Sequence, residues 1–400
     1  MHYVIPTHPA KMPDSHNNPN SNLKQIASVL DAHFKRTLIY NKPGFDLFNQ
    51  PHIVGPRVEA PPAEQLVVER VNICCEITCI ADLLRIVDEH PVVENVEYNI
   101  NIKALHRISE SLRKLDAMVG MDSLKESVVD QIIYFIQNLH LHPSENNKGN
   151  KNGAFNDYMH TVIYGPPGTG KTEVAQLIGA IFSRMGVLRK SKFKKVTRSD
   201  LIAGYLGQTA IKTADVIKDC LGGVLFIDEA YALGNTDRRD SFSKECIDTL
   251  CEALSYHKSD LMVIIAGYEK DLNECFFSAN PGLNSRFTWR FKIDDYTPAQ
   301  LAKIYEKKVH DCGWKLREPV QLHWFESNMC YFKCYGRDME TLLSRAKIAH
   351  GRRVFCAPDL EKMQLTCADL EKGMTVFISN EEVKQRKYNA TAPASVSMYL

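Results

Sequence analysis

The sequence predicts an α/β fold: a parallel-sheet core, a small α-helical lid after it and a small accessory region before it. Three observations carry this expectation. Between residues 160 and 266, short β-branched and aromatic runs alternate with longer amphipathic stretches, the pattern of strands joined by crossover helices. A glycine-rich run at 165–172 joins the first of these strands to its helix. From Thr297 onward the chain reads as helices only, at about 298–312, 319–332 and 338–350.

The elements follow in order. Residues 1–60 are polar, rich in turn formers and punctuated by proline, and read as a flexible N-terminal arm with a short helix over 23–34. Residues 64–114 read as a small accessory domain. Strands are expected at 66–68 and 71–74, a helix capped by Thr78 and running through Leu83 to Val87, and a second helix over 101–115. The α/β core spans 115–296. Residues 119–125 open a long amphipathic helix whose apolar side is supplied by Val128, Val129, Ile132, Ile133, Phe135 and Ile136, followed by a polar loop at 144–157. Strands are expected at 160–164, 193–196, 224–227 and 261–266, with helices at 173–182, 211–220 and 243–256. The lid covers 297–375. Residues 384–400, rich in Asn, Ala, Ser and Thr, read as a flexible tail.

Composition narrows the function. The 400 residues are 44% hydrophobic and 24% charged, with a formal net charge of +1. That balance gives no global attraction to nucleic acid or anionic membrane. No run of about eighteen apolar residues is present, and the first residues lack the basic and apolar blocks of a secretory signal. A soluble intracellular protein, in the cytoplasm, is expected. The twelve cysteines then read as reduced thiols acting as small buried hydrophobes, since no spacing makes a convincing zinc set.

Two motifs carry chemistry. Gly165, Pro166, Pro167, Gly168, Thr169, Gly170, Lys171 and Thr172 fit G-x-x-x-x-G-K-[ST], the loop that wraps nucleoside triphosphate. Backbone N–H groups and a helix N-terminus meet the phosphates, Lys171 reaches the β- and γ-phosphates, and the Thr172 hydroxyl binds Mg²⁺. Further on, Val224, Leu225, Phe226 and Ile227 lead into Asp228 and Glu229. An apolar strand delivers both carboxylates to the sheet end where open α/β proteins bind ligands. Asp228 suits Mg²⁺, and Glu229 suits the polarisation of an attacking water.

At this point the chain resembles the AAA+ ATPases, and within them the CbbX/CfxQ-like group, which includes red-type Rubisco activases and sporulation and secretion ATPases. The resemblance runs from about residue 115 to 353. It rests on the two motifs, on residues 199–210 with Gly-Tyr-Leu-Gly at their centre, on Asp-Glu-Ala-Tyr-Ala-Leu at 228–233, on Ala266-Gly267-Tyr268, and on Asn-Pro-Gly-Leu-Asn-Ser-Arg at 280–286. It implies ATP and Mg²⁺ as cofactors, hydrolysis of ATP to ADP and phosphate, and a hexameric ring that remodels a protein partner. Arg286 matches the arginine finger that acts on the neighbouring subunit's nucleotide. Arg337 matches the sensor-2 arginine of the lid, and Val119 and Gly120 match the segment touching adenine. Tyr205, Leu206 and Gly207 resemble the aromatic pore loop of protein remodellers. Gly234 to Asp240 reads equally as a second, charged pore loop or as a solvated turn. The wider superfamily's polar sensor-1 residue is missing after Ile265 and Ala266, and Tyr268 is the candidate in its place. Two other readings stay open. One is a nucleic-acid-directed motor or clamp-loader-like switch, for which the basic run at 190–195 is the only dense patch. The other is a nucleotide-dependent scaffold with little turnover, against which intact Glu229 and Arg286 count.

Overall fold

The computed structural model describes residues 69–141, 157–205, 207–234, 240–356, 358 and 362–391. The N-terminal arm with its helix over 23–34, the strand at 66–68, nearly all of the loop at 144–157, Leu206, most of the loop at 234–240 and residues 392–400 lie outside the described residues.

Five parallel strands form the central sheet. They are β3 (Thr161–Tyr164), β4 (Phe193–Val196), β5 (Val224–Ile227), β6 (Met262–Gly267) and β7 (Trp289–Lys292), in the order β4-β5-β6-β3-β7. Side chains alternate between two cores. Val162, Leu225, Ile227, Val263 and Ile265 face one; Ile163, Val224, Phe226, Ile264 and Ala266 face the other. Burial on both faces is why these strands read as unbroken apolar runs rather than alternating ones. β7 lies at an edge, and its alternating Trp-Arg-Phe-Lys pattern escaped the sequence reading.

Before the sheet, β1 (Glu69–Val71) and β2 (Val96–Tyr98) pair in parallel around α1 (Ile80–Glu89). The strand expected at 71–74 ends at Val71, and the helix starts one residue later than expected, with Cys79 as its N-cap. Thr78 does not cap it from outside; its N–H and hydroxyl both donate to Asp82 at 3.0 Å. Next come α2 (Ile102–Asp116), capped by the Asn101 side chain, and α3 (Asp122–Ile136). Ile108, Leu112 and Leu115 of α2 join the same core as Ile178 and Phe182 of α4 (Lys171–Met185). Arg184 of α4 also donates to Ser111 at 3.1 Å. The accessory elements therefore pack directly on the helix that follows the glycine-rich loop.

The other core is covered by α5 (Arg198–Leu201), α6 (Thr209–Cys220) and α7 (Ser241–Tyr256), and α8 (Gly282–Arg286) leads into β7. The lid begins at α9 (Pro298–Asp311), closed at its start by a Thr297–Gln300 capping box. It continues through α10 (Leu322–Asn328), α11 (Tyr335–Val354) and α12 (Cys367–Ile378). The helices-only expectation for the lid needs correcting: β8 (Lys315–Leu316) pairs in parallel with β9 (Gln364–Leu365). Two residues per strand are too few to leave a periodic signal. The expected tail also needs correcting, because Glu381–Thr391 forms a further helix, α13. Its Val383 is buried, and Arg386 donates to Asp338 and to the Tyr331 carbonyl, both at 2.9 Å. These tertiary anchors hold a segment whose composition alone reads as polar.

The cysteines are all free thiols, but the small-buried-hydrophobe reading fits only Cys220, Cys246 and Cys251. Cys74, Cys75, Cys79, Cys312 and Cys356 are exposed. Among the described residues, no helix is long and apolar enough to cross a membrane.

Candidate nucleotide site

The glycine-rich loop leaves β3 after Tyr164 and turns into α4 at Lys171. Gly165 N–H donates to the Gly267 carbonyl at 3.2 Å, tying the loop to the end of β6. Lys171 is 7% exposed, and its ammonium donates to the Gly165 and Pro166 carbonyls at 2.9 and 2.7 Å. Burial lowers its pKa, the Glu229 and Asp228 carboxylates oppose that shift, and Arg337 adds to it. Four charged groups from three distant parts of the sequence thus converge on one spot. Thr172 is the second residue of α4, its side chain half-buried.

Asp228 and Glu229 emerge from the C-terminal end of β5, beside the loop. Lys195 of β4 pairs with the Asp228 carboxylate at 2.5 Å. Glu229 adopts a left-handed backbone conformation, φ 53°. For a bulky side chain that costs on the order of 1–3 kcal/mol and persists only where the surroundings enforce it. Its Oε2 is buried and has no hydrogen-bond partner among the described residues. An acceptor held that way, among charged groups, suits a water molecule as donor. Burial, and then a hydrogen bond to Glu229, push the Tyr231 hydroxyl well above the usual phenol range. The Tyr231 and Tyr268 rings lie 6.0 Å apart, and Lys171 Nζ sits 5.7 Å from the Tyr268 ring.

The lid meets the loop directly. Gly336 N–H donates to the Gly168 carbonyl at 3.0 Å. Gly168 has φ +73°, and a Cβ there would stand 2.0 Å from the Cys334 carbonyl, so only glycine fits. Arg337 therefore starts its helix against the loop. Val119 lines, with Met118, Gly168, Thr169, Gly170 and Tyr296, a cleft of about 160 Å³. Gly120 packs against Tyr296 and against Gln300 of the lid, with φ +69°. The Tyr296 hydroxyl donates to the Thr169 carbonyl at 3.2 Å. Tyr231 and Tyr296 were missed from sequence; only their place beside recognised motifs could have flagged them.

Arg286 stands apart from this set. Trp289, three residues later, pairs with Thr161 at the start of β3, whereas the loop leaves β3 after Tyr164, the partner of Lys292. Those three steps of strand, at roughly 3.3 Å each, separate the two ends by about 10 Å. Arg286 lies beyond the far end, where Nε donates to Ser255 Oγ and Nη1 to the Gly282 carbonyl, both at 2.6 Å.

Tyr205 lies between α5 and α6 and is 74% exposed. The base of its loop is fixed: Lys212 donates to the Ser199 and Ile202 carbonyls at 2.6 and 2.9 Å, and Thr213 to Leu201 at 3.1 Å. At Gly204 and Gly207 an added Cβ would meet nothing within 4 Å. Tyr205 is thus a ring held out on an anchored loop, not a core aromatic.

The oxygens of Thr172 and Asp228 are hard donors of the kind Mg²⁺ takes, and the glycine-lined cradle with its buried lysine fits a polyphosphate. Comparison with known proteins agrees. Residues 161–294 match the ATPase family associated with various cellular activities (AAA). A putative cfxQ-like protein of Acanthamoeba polyphaga mimivirus is 39% identical over 297 residues, 73% of this chain and 70% of that protein. Stage V sporulation protein K of Bacillus subtilis is 35% identical, over 63% of this chain and 74% of its own length. The chloroplastic ribulose bisphosphate carboxylase/oxygenase activase of Cyanidioschyzon merolae is 36% identical, over 51% and 70% respectively. The chain belongs to the CbbX/CfxQ-like group of AAA ATPases, and its reaction is the hydrolysis of ATP.

Proposed function

We propose that this protein assembles into a ring, a hexamer, whose ATP sites are completed between subunits and whose hydrolysis remodels a protein partner. The observation that carries the reading is the position of Arg286, at the opposite end of the sheet from its own glycine-rich loop. A finger so placed serves a neighbour. In this reading Lys171 draws charge from the β- and γ-phosphates, and the backbone of residues 165–170 cradles them. Thr172 and Asp228 hold Mg²⁺, which neutralises phosphate charge when bound. Glu229 Oε2 accepts a hydrogen bond from the attacking water and orients it toward the γ-phosphorus. The neighbour's Arg286 offsets charge on the transferred phosphoryl oxygens. Arg337 links the lid's position to the phosphates, Val119 and Gly120 border the base, and Tyr268 stands where sensor 1 is otherwise polar.

The exposed Tyr205 supports the remodelling half. A ring face offers broad apolar contact without demanding a particular side chain, as gripping an arbitrary polypeptide requires. Residues 64–114, with the N-terminal arm, are the proposed adaptor contacts. The nucleic-acid alternative loses support from the pairing of its basic run: Lys192 and Lys194 bind Asp219 at 2.5 and 2.9 Å, and Lys195 binds Asp228.

The test is specific ATPase activity against protein concentration, with light scattering in ATP. A shared site predicts activity that rises as rings form. Constant activity from a protein that scatters as a monomer would sink the reading.

A further inference from the structure

We infer that Ser255 is a positioning residue for Arg286, so that a hydroxyl on one subunit sets the rate of hydrolysis in the next. The inference rests on the trans reading of Arg286 given above.

Arg286 is the last residue of α8, a helix of five residues. A long side chain at such a site samples many rotamers unless something holds it. Here two acceptors hold it, Ser255 Oγ and the Gly282 carbonyl, each at 2.6 Å. The carbonyl belongs to α8 itself, four residues back, and moves with the arginine. Ser255 belongs to the last turn of α7, which the Asn280 amide also ties to α8 by donating to Asp248 at 3.0 Å. Ser255 is thus the acceptor that fixes the guanidinium relative to the rest of the molecule. Its own proton is directed to the Cys251 carbonyl at 3.5 Å, which leaves its lone pairs to the arginine.

The remaining guanidinium N–H groups have no partner among the described residues. A fork held by Nε and one Nη1 proton keeps donors for a phosphate arriving from outside. The next residue, Tyr256, is 83% exposed, so the face around the finger carries an uncovered aromatic, as a face closed by a second copy would. Ser255 is far from its own chain's loop for the same reason as Arg286. Its effect must therefore appear in turnover at the neighbouring site and not in nucleotide affinity.

A double-mutant cycle on the full chain under ring-forming conditions tests this. Ser255→Ala is expected to lower kcat about 10-fold, the usual scale for one charge-assisted hydrogen bond, and to leave KM for ATP within about two-fold. Ser255→Thr, which keeps the hydroxyl, restores most of the rate. Adding Ser255→Ala to Arg286→Ala costs nothing further. Should Ser255→Ala fold poorly, Ser255→Cys keeps the volume, offers only a weak acceptor and is expected to show the same loss. An equal loss in the presence and absence of Arg286 would overturn the proposal, as would a normal kcat for Ser255→Ala and Ser255→Cys. The two readings fail separately. A normal kcat for Arg286→Ala removes the finger itself, whereas slow Arg286→Ala with normal Ser255→Ala removes only the role of Ser255.

Discussion

The two ends of the central sheet are built for different work. At the C-terminal end lie the glycine-rich loop, Asp228, Glu229 and the lid contact at Gly168, with Lys171 turned onto its own loop's carbonyls and three charged groups gathered around it. At the N-terminal end lie Arg286, Ser255 and the buried His160. The first end gathers the groups proposed to touch nucleotide; the second holds one cation on a short helix. Strand geometry keeps them apart by about 10 Å or more. On the proposed reading, one chain therefore carries two half-sites, not one site.

The sharpest break in the comparison is at the C-terminal end. Lys171→Ala is expected to abolish ATP binding and with it all turnover, as read by nucleotide titration; retained tight binding would remove Lys171 from the phosphates. At the other end, Arg286→Ala is expected to bind ATP normally and lose about 10³–10⁵ in kcat. A rise in the dissociation constant for ATP, with kcat intact, would show Arg286 acting within its own chain. Glu229→Gln is expected to keep binding while turnover falls by about 10²–10⁴, the usual worth of a positioned base. Normal hydrolysis by that variant contradicts the reading of Glu229.

His160 sharpens the comparison through pH. Its ring is fully buried; Nδ1 accepts from Val263 N–H at 3.1 Å, and Nε2 faces the Leu254 carbonyl at 3.2 Å. Burial pushes its pKa down to about 4, Leu254 opposes the shift, and the nearby Arg286 charge adds to it. A histidine with a depressed native pKa takes up its proton more readily when unfolded. Its contribution is therefore present above about pH 6.5, the unfolded value, and is lost as pH falls toward 4. The loss is on the order of 3 kcal/mol. Chemical denaturation between pH 7 and 4.5 should show it, with a shallower slope for His160→Gln; equal slopes would contradict the assignment. The smallest stability effect is expected at Tyr205, because the ring is exposed. Tyr205→Ala should shift stability by about 0.5 kcal/mol or less and yet abolish partner remodelling. A loss of ~3 kcal/mol or more, the cost of truncating a core aromatic, would make it packing.

The C-terminal end was legible in the sequence, and the N-terminal end was not. Wrapping a polyphosphate requires glycines, a lysine and a hydroxyl within eight consecutive residues, and a buried strand must precede the carboxylates, so both leave local patterns. Arg286 shows no such pattern. It was reached through resemblance, and its partner Ser255 lies 31 positions away on another helix. The same limit applies elsewhere. Tyr231 and Tyr296 reach the site through tertiary packing, β8 and β9 pair two residues each, and α13 depends on Arg386 meeting Asp338. Periodicity reports what an element buries; it does not report which distant residue a side chain will find.

The central claim, that a complete site needs two chains, is tested most directly by mixing two inactive proteins. Arg286→Ala subunits keep the nucleotide half-site, and Lys171→Ala subunits keep the finger. Co-assembled in ATP and Mg²⁺, they are expected to hydrolyse ATP faster than the sum of the two alone, because some interfaces join one intact half to the other. If subunit exchange is demonstrated and the mixture is no more active than its parts, the site is complete within one chain and the account is wrong.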